Sequence, residues 1–364
     1  MFNATASKKY QTLEAKATRQ LLKKLVTNPD EFSDHLRHHA ATIILSIAYG
    51  IEVLPENDPL VALAEEGVRA IVLAARPGAY LVESFPLLKY VPELLGNEMS
   101  TTGVYWAQQG AIWLSLVQTN GIISPSFTSF CFQEFQATHD PAYRESLVRD
   151  VAGSIYAAGS DTTVSTLNTF FLAMLVNPEA QAKAQQEIDR VISAGHLPDF
   201  PDHDSLPYVA AIVKETLRWQ NVLPMGVLHS VDKEDVYKGY RIPANSVIVT
   251  NIWAMLHDEN VYPEPFSFKP ERFLTSEGQL DPDVQDPAQA VFGFGKRNCP
   301  GRHMAYSSVW SVISSVLTVF TISKALNPDG TVNEPTYEYV SALVCHPAPF
   351  KCLIKPRWRD SSEI

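Results

Sequence analysis

Cysteine is scarce in this chain of 364 residues. Four are present, at Cys131, Cys299, Cys345 and Cys352, scattered and without a CxxC pair. That spacing argues for reducing surroundings rather than a disulfide framework, and against a zinc knuckle. Positive charge is also short. There are 29 Lys and Arg against 40 Asp and Glu, a formal net charge of −11, which argues against a nucleic-acid partner. Long apolar runs are missing. The best candidate, Ala41 to Leu54, is interrupted by Thr42, Ser46, Tyr49, Gly50 and Glu52 and falls short of the ~18 residues that a membrane span needs. The opening Met-Phe-Asn-Ala-Thr-Ala-Ser-Lys-Lys lacks the charged-then-apolar order of a secretory leader. No internal repeat and no low-complexity tract is visible. What is there is an ordinary globular composition, 46% hydrophobic and 19% charged, with length enough for one large core or two smaller ones. The 25 prolines fall mostly in the second half, which implies many turns there.

The apolar spacing predicts a mainly helical chain. Residues 9 to 26 read as an amphipathic helix with Leu13, Ala17, Leu21 and Leu25 on one face. Asn28-Pro29-Asp30 stops it and opens a second helix to Tyr49, with Gly50 as its C-terminal cap. Asp58-Pro59 starts a third, ending at Pro77-Gly78. Ala79 to Leu95 reads as short surface helices, and Val104 to Val117 as another helix broken by Asn120-Gly121. Asp140-Pro141 opens a long helix to Val176. Glu179 to Ala194 is a charged helix closed by Gly195, followed by a Pro-rich linker from Pro198 to Pro207 and a helix from Val209 to Trp219. Asp235 to Thr250 has strand character, a small antiparallel sheet with His229 just before it. A helix then covers Arg302 to Val319, and Thr336 to Pro356 reads as an edge hairpin turning through His346-Pro347-Ala348-Pro349.

The stretch with the densest chemistry is Phe292-Gly293-Phe294-Gly295-Lys296-Arg297-Asn298-Cys299-Pro300-Gly301. Its glycines allow positive φ and a close approach to a flat partner. Pro300 suits a first helical position, which puts Cys299 at the N-cap, facing free amide hydrogens and the positive end of the helix dipole. Such surroundings lower a thiol pKa and favour the metal-binding thiolate. A lone cysteine is ordinarily just a buried apolar side chain. Here the pattern Phe-x-x-Gly-x-Arg-x-Cys-x-Gly reverses the odds. The segment resembles the haem-binding loop of the cytochrome P450 family, the haem–thiolate monooxygenases. The resemblance implies that Cys299 is the axial ligand of the haem iron, that Arg297 binds a haem propionate and that Phe292 shields the sulfur. It also places Gly301 and Ala158 beside the haem, and His229, shortly after Leu223-Pro224-Met225, on a propionate, although a lone His is more often simply a satisfied polar residue.

Two further motifs stand in the order that family shows. Ala157-Ala158-Gly159-Ser160-Asp161-Thr162-Thr163 lies inside the long helix, where Gly, Ser, Asp and the two Thr are each a poor or middling helix former. Taken alone, it reads equally well as a Ser/Thr-rich turn joining two helices. If the helix is continuous, Thr162 can turn its hydroxyl to the Ala158 carbonyl and bend the helix, and the bend together with the missing Gly159 side chain leaves a groove for a ligand the size of O2. The segment resembles the family's oxygen-activating helix, Ala/Gly-Gly-x-Asp/Glu-Thr. That implies Thr162 hydrogen-bonds the oxygen under activation and Asp161 relays protons from water. Glu215-Thr-Leu-Arg218 puts Glu and Arg on one helix face, by itself a surface pair of little worth. Lys269-Pro270-Glu271-Arg272-Phe273 follows it, and the resemblance joins Glu215, Arg218 and Arg272 into a buried network that holds the Cys loop.

The resemblance spans essentially the whole chain. It implies the cytochrome P450 fold, mainly α with small antiparallel sheets, as a single partial domain over residues 1–364, with N-terminal helices in 1–139 and the motif-bearing part in 140–364. The first sheet and first helices of relatives are expected to be missing, with Met1 an internal start. The implied cofactor is haem b (iron protoporphyrin IX), with NADPH acting indirectly through a cytochrome P450 reductase that Lys296 and Arg302 could meet. The implied partners are O2 and a small apolar substrate, with no nucleic acid, and the segments Phe268-Lys269-Pro270-Glu271-Arg272-Phe273 and Ile252-Trp253-Ala254-Met255-Leu256-His257-Asp258 resemble fungal members of secondary metabolism or xenobiotic oxidation. Pocket walls are expected from Ala157, from Val222 and Leu223 on one side, and from the hairpin tip Ser341, Ala342 and Leu343 on the opposite one. Full-length relatives sit on the cytosolic face of the endoplasmic reticulum membrane, and this chain, without a span, is expected to be cytoplasmic. A non-catalytic remnant is the alternative reading. A thiolate-haem isomerase or peroxide-using variant is disfavoured by the intact Asp161-Thr162 pair.

Overall fold

The computed structural model describes residues 2–74, 125–134, 140–340 and 342–357. The readings for Ala79 to Leu95, for Val104 to Val117 and for Ser341 lie outside the described residues. The chain divides into two compact units. One takes the described residues of Met1–Val164 and His303–Ser308, the other those of Ser165–Arg302 and from Val309 onward.

In the first unit, α1 (Gln11–Thr27) and α2 (Phe32–Tyr49) are joined through a single 3-10 turn at Pro29–Glu31. Gly50 ends α2 in the left-handed region at φ 73°, its N–H donating to the Leu45 and Ser46 carbonyls, so the glycine supplies a conformation that a β-carbon would disfavour. α3 (Pro59–Ala74) begins on a cap made by Asp58, whose carboxylate accepts from the N–H groups of Leu60 and Val61. α4 (Phe127–Glu134) and the start of α5 (Pro141–Val176) complete this unit. Its core gathers Ala41, Ile44, Leu45 and Ala48 of α2 with Ala17, Val68, Tyr156 and Met304. Leu21 and Leu25 are buried as the spacing implies, while Leu13 is only partly covered.

α5 runs unbroken from Pro141 to Val176. The polar stretch at 157–163 is therefore part of one helix and not a joint between two. From Ser165 onward α5 belongs to the second unit. α6 (Pro178–Val191) stops earlier than the expected Ala194, because Ile192 turns extended. The Pro-rich segment is a 3-10 helix, Phe200–Ser205, held by a reciprocal Asp199–Asp202 capping box, and leads straight into α7 (Pro207–Trp219). After α7 come β1 (His229–Ser230), β2 (Asp235–Tyr237), β3 (Tyr240–Ile242) and β4 (Val247–Ile248). They form two antiparallel pairs, β1 with β4 and β2 with β3, instead of one sheet. α8 (Ile252–Leu256) and α9 (Ala288–Val291) lead to the Cys loop, and α10 (Arg302–Val319) follows it.

The expected C-terminal hairpin is two separate pairings. β6 (Tyr339–Val340) pairs with β7 (His346–Pro347), while β8 (Cys352–Pro356) pairs with β5 (Phe320–Lys324), the strand that leaves α10. Ile322 and Ile354 of the second pair are both buried. On the free edge of β5 the Gln181 side chain acts as a peptide group: its amide N–H donates to the Ile322 carbonyl at 2.9 Å and its oxygen accepts from the Ile322 N–H at 2.7 Å. Gln185 donates to the Phe320 carbonyl at 3.0 Å.

Candidate active site

The Cys loop is built by its glycines. Gly293 and Gly295 take φ of 76° and 55°, turning the chain after α9 so that the Cys299 N–H returns to the Phe292 carbonyl at 2.7 Å. The Asn298 side chain crosses the loop to the Gly293 carbonyl at 3.0 Å. α10 begins at Arg302, with Gly301 as its N-cap. Cys299 therefore lies two residues before the cap rather than on it, because Pro300 and Gly301 form a turn. The consequence for the thiol is also a correction. Burial pushes the Cys299 thiol above its ordinary value, and a hydrogen bond from the Gly301 N–H and the nearby Arg302 charge offset this only in part. Phe292 is half-buried, Arg297 is exposed, and a β-carbon on Gly301 would stand 3.9 Å from the Cys299 sulfur.

The chemistry of this donor set fits a haem iron. A half-buried thiol held neutral by desolvation needs a cation to ionise, and a metal supplies it while displacing the proton. Among the described residues no cluster of three or more His, Cys, Asp or Glu could hold a metal ion.

Upstream of the loop, α7 carries the buried ion network. Glu215 and Arg218 are both fully buried. Arg218 donates to the two Glu215 oxygens at 2.7 and 2.9 Å and to the Leu256 carbonyl at 2.9 Å. Glu215 also accepts from the Lys269 N–H at 2.7 Å and from Arg272 at 3.2 Å. Arg272 in turn donates to the Pro263 and Glu264 carbonyls at 2.6 and 3.1 Å. Every oxygen and nitrogen of the cluster thus has a fixed partner, as buried charges require. One contact carries this network toward the loop entrance: the Arg218 guanidinium sits over the Tyr262 ring, whose hydroxyl donates to the Gln285 carbonyl at 3.0 Å. Separately, Lys214, the chain neighbour of Glu215, pairs with Asp286. Tyr262, Lys214 and Asp286 were not legible in the sequence, since no spacing marks them.

The segments expected to line a pocket lie differently from expectation. The Cys345 N–H donates to the Val222 carbonyl at 2.9 Å, so the 221–227 loop and the turn carrying Leu343 are hydrogen-bonded neighbours and not opposing walls. Val222 is buried, Leu223 and Leu343 are partly covered. His229 lies within β1, opposite Ile248, and is exposed.

In the first unit, Thr162 donates to the Ala158 carbonyl at 2.7 Å, as the sequence suggested. The groove does not exist on this side of the helix. The space beside Gly159 is filled by Ile44 of α2, whose Cδ1 would stand 2.7 Å from a β-carbon there. Gly159 permits close helix packing instead. Ala157 is half-buried and Ala158 exposed. Asp161, 5% exposed, accepts from Arg37 of α2 at 3.5 Å. The same Arg37 nitrogen donates to Glu65 of α3 at 3.2 Å, and the Tyr156 hydroxyl donates to Glu65 at 3.3 Å. Arg37, Glu65 and Tyr156 carry no sequence signal that links them to Asp161.

A family model described as Cytochrome P450 matches residues 1–354. The chain is 39% identical to "Cytochrome P450 monooxygenase ple1" of Rhodocybe pseudopiperita over 100% of its length and 71% of the relative's. It is 41% identical to "Cytochrome P450 monooxygenase 208" of Postia placenta, over 93% and 66% of the two chains. It is 36% identical to "Tryptamine 4-monooxygenase" of Psilocybe cyanescens, over 99% and 72%.

Proposed function

This chain belongs to the cytochrome P450 family, and from that premise we propose that it inserts one atom of O2 into a small apolar substrate of fungal secondary metabolism, using electrons from an NADPH-dependent reductase. The family implies a haem cofactor. When bound, a thiolate-ligated haem supplies O2 activation, the thiolate pushing electron density toward O–O cleavage. Cys299 is the residue proposed to hold it, and the observation that carries the reading is the loop itself: two left-handed glycines and the hydrogen bond from the Cys299 N–H to the Phe292 carbonyl fix a half-buried sulfur.

The other residues have separate tasks. Arg297, exposed on the same loop, is proposed to pair with a haem propionate, and His229 to donate to one. Phe292 and Gly301 are proposed to bound the sulfur, and Ala158 is proposed as a cofactor-binding residue. Asp161 is proposed to hold and pass protons, and Thr162 to orient the last hydrogen bond to the reacting oxygen. Glu215, Arg218 and Arg272 are proposed to hold the Cys loop in place, a role supported by the Arg218 contact with Tyr262. Val222, Leu223, Leu343 and Ala157 are proposed to contact substrate, and Lys296 and Arg302 to meet an acidic reductase surface.

The test is the reduced, CO-bound spectrum of the purified chain reconstituted with haem. A red-shifted Soret band that disappears in Cys299→Ala supports the assignment. An unshifted band, or one indifferent to Cys299→Ala, refutes the thiolate role and leaves a non-catalytic haem binder or remnant. A second arm uses Thr162→Ala, which is expected to lower product formed per NADPH consumed.

A further inference from the structure

The hydroxyl side chains of α5 do two different things. Ser160, Thr162 and Thr163 each donate to a carbonyl four residues back in their own helix, at Tyr156, Ala158 and Gly159, which is how Ser and Thr inside a helix ordinarily satisfy themselves. Ser165 and Thr169, further along the same helix and both without solvent exposure, turn away from it. Ser165 donates to the Cys345 carbonyl at 2.5 Å, and the Thr169 hydroxyl bonds that of Tyr339 at 3.0 Å. One helical turn separates the two, so they share a face. Their partners lie at the two ends of one turn: Tyr339 opens β6, and Cys345 directly precedes β7, which pairs with it.

Cys345 is the meeting point of three segments. Its carbonyl takes the bond from α5, its N–H donates to the Val222 carbonyl at 2.9 Å, and its thiol donates to the Ala342 carbonyl at 3.7 Å, closing the turn. The helix, the turn carrying Leu343 and the loop carrying Val222 and Leu223 are thus fixed to one another through one residue. Packing alone does not replace such bonds, because removing a buried donor strands the acceptor it served.

We propose that Ser165 and Thr169 are positioning residues that determine specificity: from α5 they pin the turn carrying Leu343 and, through Cys345, the 221–227 loop, so that both segments meet a substrate as one fixed wall. This rests on the reading of Val222, Leu223 and Leu343 as substrate contacts. The two hydroxyls act through Cys345 and Tyr339, and what they set is which shapes the wall accepts. Without either one the turn is free to shift against the helix, and a displaced leucine discriminates less between ligands of different bulk.

The experiment titrates the holoenzyme with imidazole and with 4-phenylimidazole, following the Soret band, and measures backbone hydrogen exchange over residues 342–346 in the same proteins. Imidazole is too small to need a side wall and the phenyl ring is not, so the ratio of the two affinities reads the wall, and a general loss of stability does not move it. Ser165→Ala is expected to lower the preference for 4-phenylimidazole and to quicken the exchange, each by about two- to tenfold, the worth of one intramolecular hydrogen bond. Thr169→Val is expected to act in the same direction, and Thr169→Ser, which keeps the hydroxyl, to retain the wild-type ratio. Leu343→Ala trims the wall itself and is expected to change the ratio. A wild-type ratio in Ser165→Ala and Thr169→Val, where Leu343→Ala does change it, overturns the proposal, as does exchange at the wild-type rate in Ser165→Ala. Failure of the parent reading looks different. There Leu343→Ala leaves the ratio unchanged while Ser165→Ala still quickens the exchange, which removes the specificity role and leaves the pinning.

Discussion

Ser307 donates its hydroxyl to both carboxylate oxygens of Glu14, at 2.8 and 3.0 Å, across 293 positions of sequence. Glu14 has no solvent exposure, and burial pushes its pKa from 4.5 up to about 8, the Ser307 bond lowering it only in part. The folded chain therefore holds a proton on Glu14 between pH 4.5 and about 8, where the unfolded chain has lost it. Unfolding then releases a proton, so the stabilising effect is complete below pH 4.5 and is lost as pH rises to about 8. The loss amounts to roughly 4–5 kcal/mol at most. Glu14→Gln is expected to keep the serine bond and abolish this decline. Urea titrations at pH 5, 6.5 and 8 on the two proteins measure it, and parallel pH curves would count against it.

His39 tilts stability the other way. Burial lowers its pKa from 6.5 to about 4, so the folded chain keeps the ring neutral while the unfolded chain takes up a proton below pH 6.5. Stability is lost as pH falls from 6.5 toward 4, by roughly 3 kcal/mol. In the wild type the slopes from Glu14 and His39 oppose each other between pH 4.5 and 6.5. The Glu14→Gln protein should reveal the acid-side slope alone, and a second substitution, His39→Leu, should flatten it.

Gly159 and Ile44 make a double-mutant cycle. Gly159→Ala gains helix propensity of about 1 kcal/mol but sets a methyl 2.7 Å from Ile44 Cδ1. Overpacking costs ~1–3 kcal/mol, so the single variant is expected to lose about 1 kcal/mol net. Ile44→Val removes the offending carbon, and the pair is expected to be more stable than the sum of its parts. Additive thermal shifts would show that the two side chains do not meet.

Glu215 accepts four hydrogen bonds from Arg218, Lys269 and Arg272. Glu215→Ala leaves two guanidinium groups without their counter-charge, a loss of roughly 3–5 kcal/mol. Denaturant midpoints give the stability and haem titration gives the effect on the loop. A Glu215→Ala protein that unfolds at the wild-type midpoint would remove the network from any structural role.

Much of this was legible because proline and glycine punctuate it. Pro141 and Asn177-Pro178 bound α5, and Gly50 closes α2, so those limits emerged from local stereochemistry. The Thr162 bond to Ala158 is also local and was foreseen. What escaped depended on partners distant in sequence. Nothing near Gly159 says that Ile44 fills its space, and nothing in His-Leu-Arg37-His says that Arg37 meets α5. The Cys299 thiol was placed at the helix N-cap with a lowered pKa, but its burial by the surrounding fold outweighs the local amide hydrogens. The pairing of β5 with β8 was missed for the same reason: each strand alone is short enough to fit a hairpin with its neighbour.

Among the described residues β5 and β8 form a two-stranded sheet, and Gln181 closes its edge at Ile322. By presenting one donor and one acceptor to Ile322, it occupies the hydrogen-bonding positions that a foreign β-segment would need. A leucine there would cost little in packing area, yet it would leave an open row of amides for a neighbouring chain to zip onto. The side chain of one helix thus gives that edge residue the partner a further strand would otherwise supply.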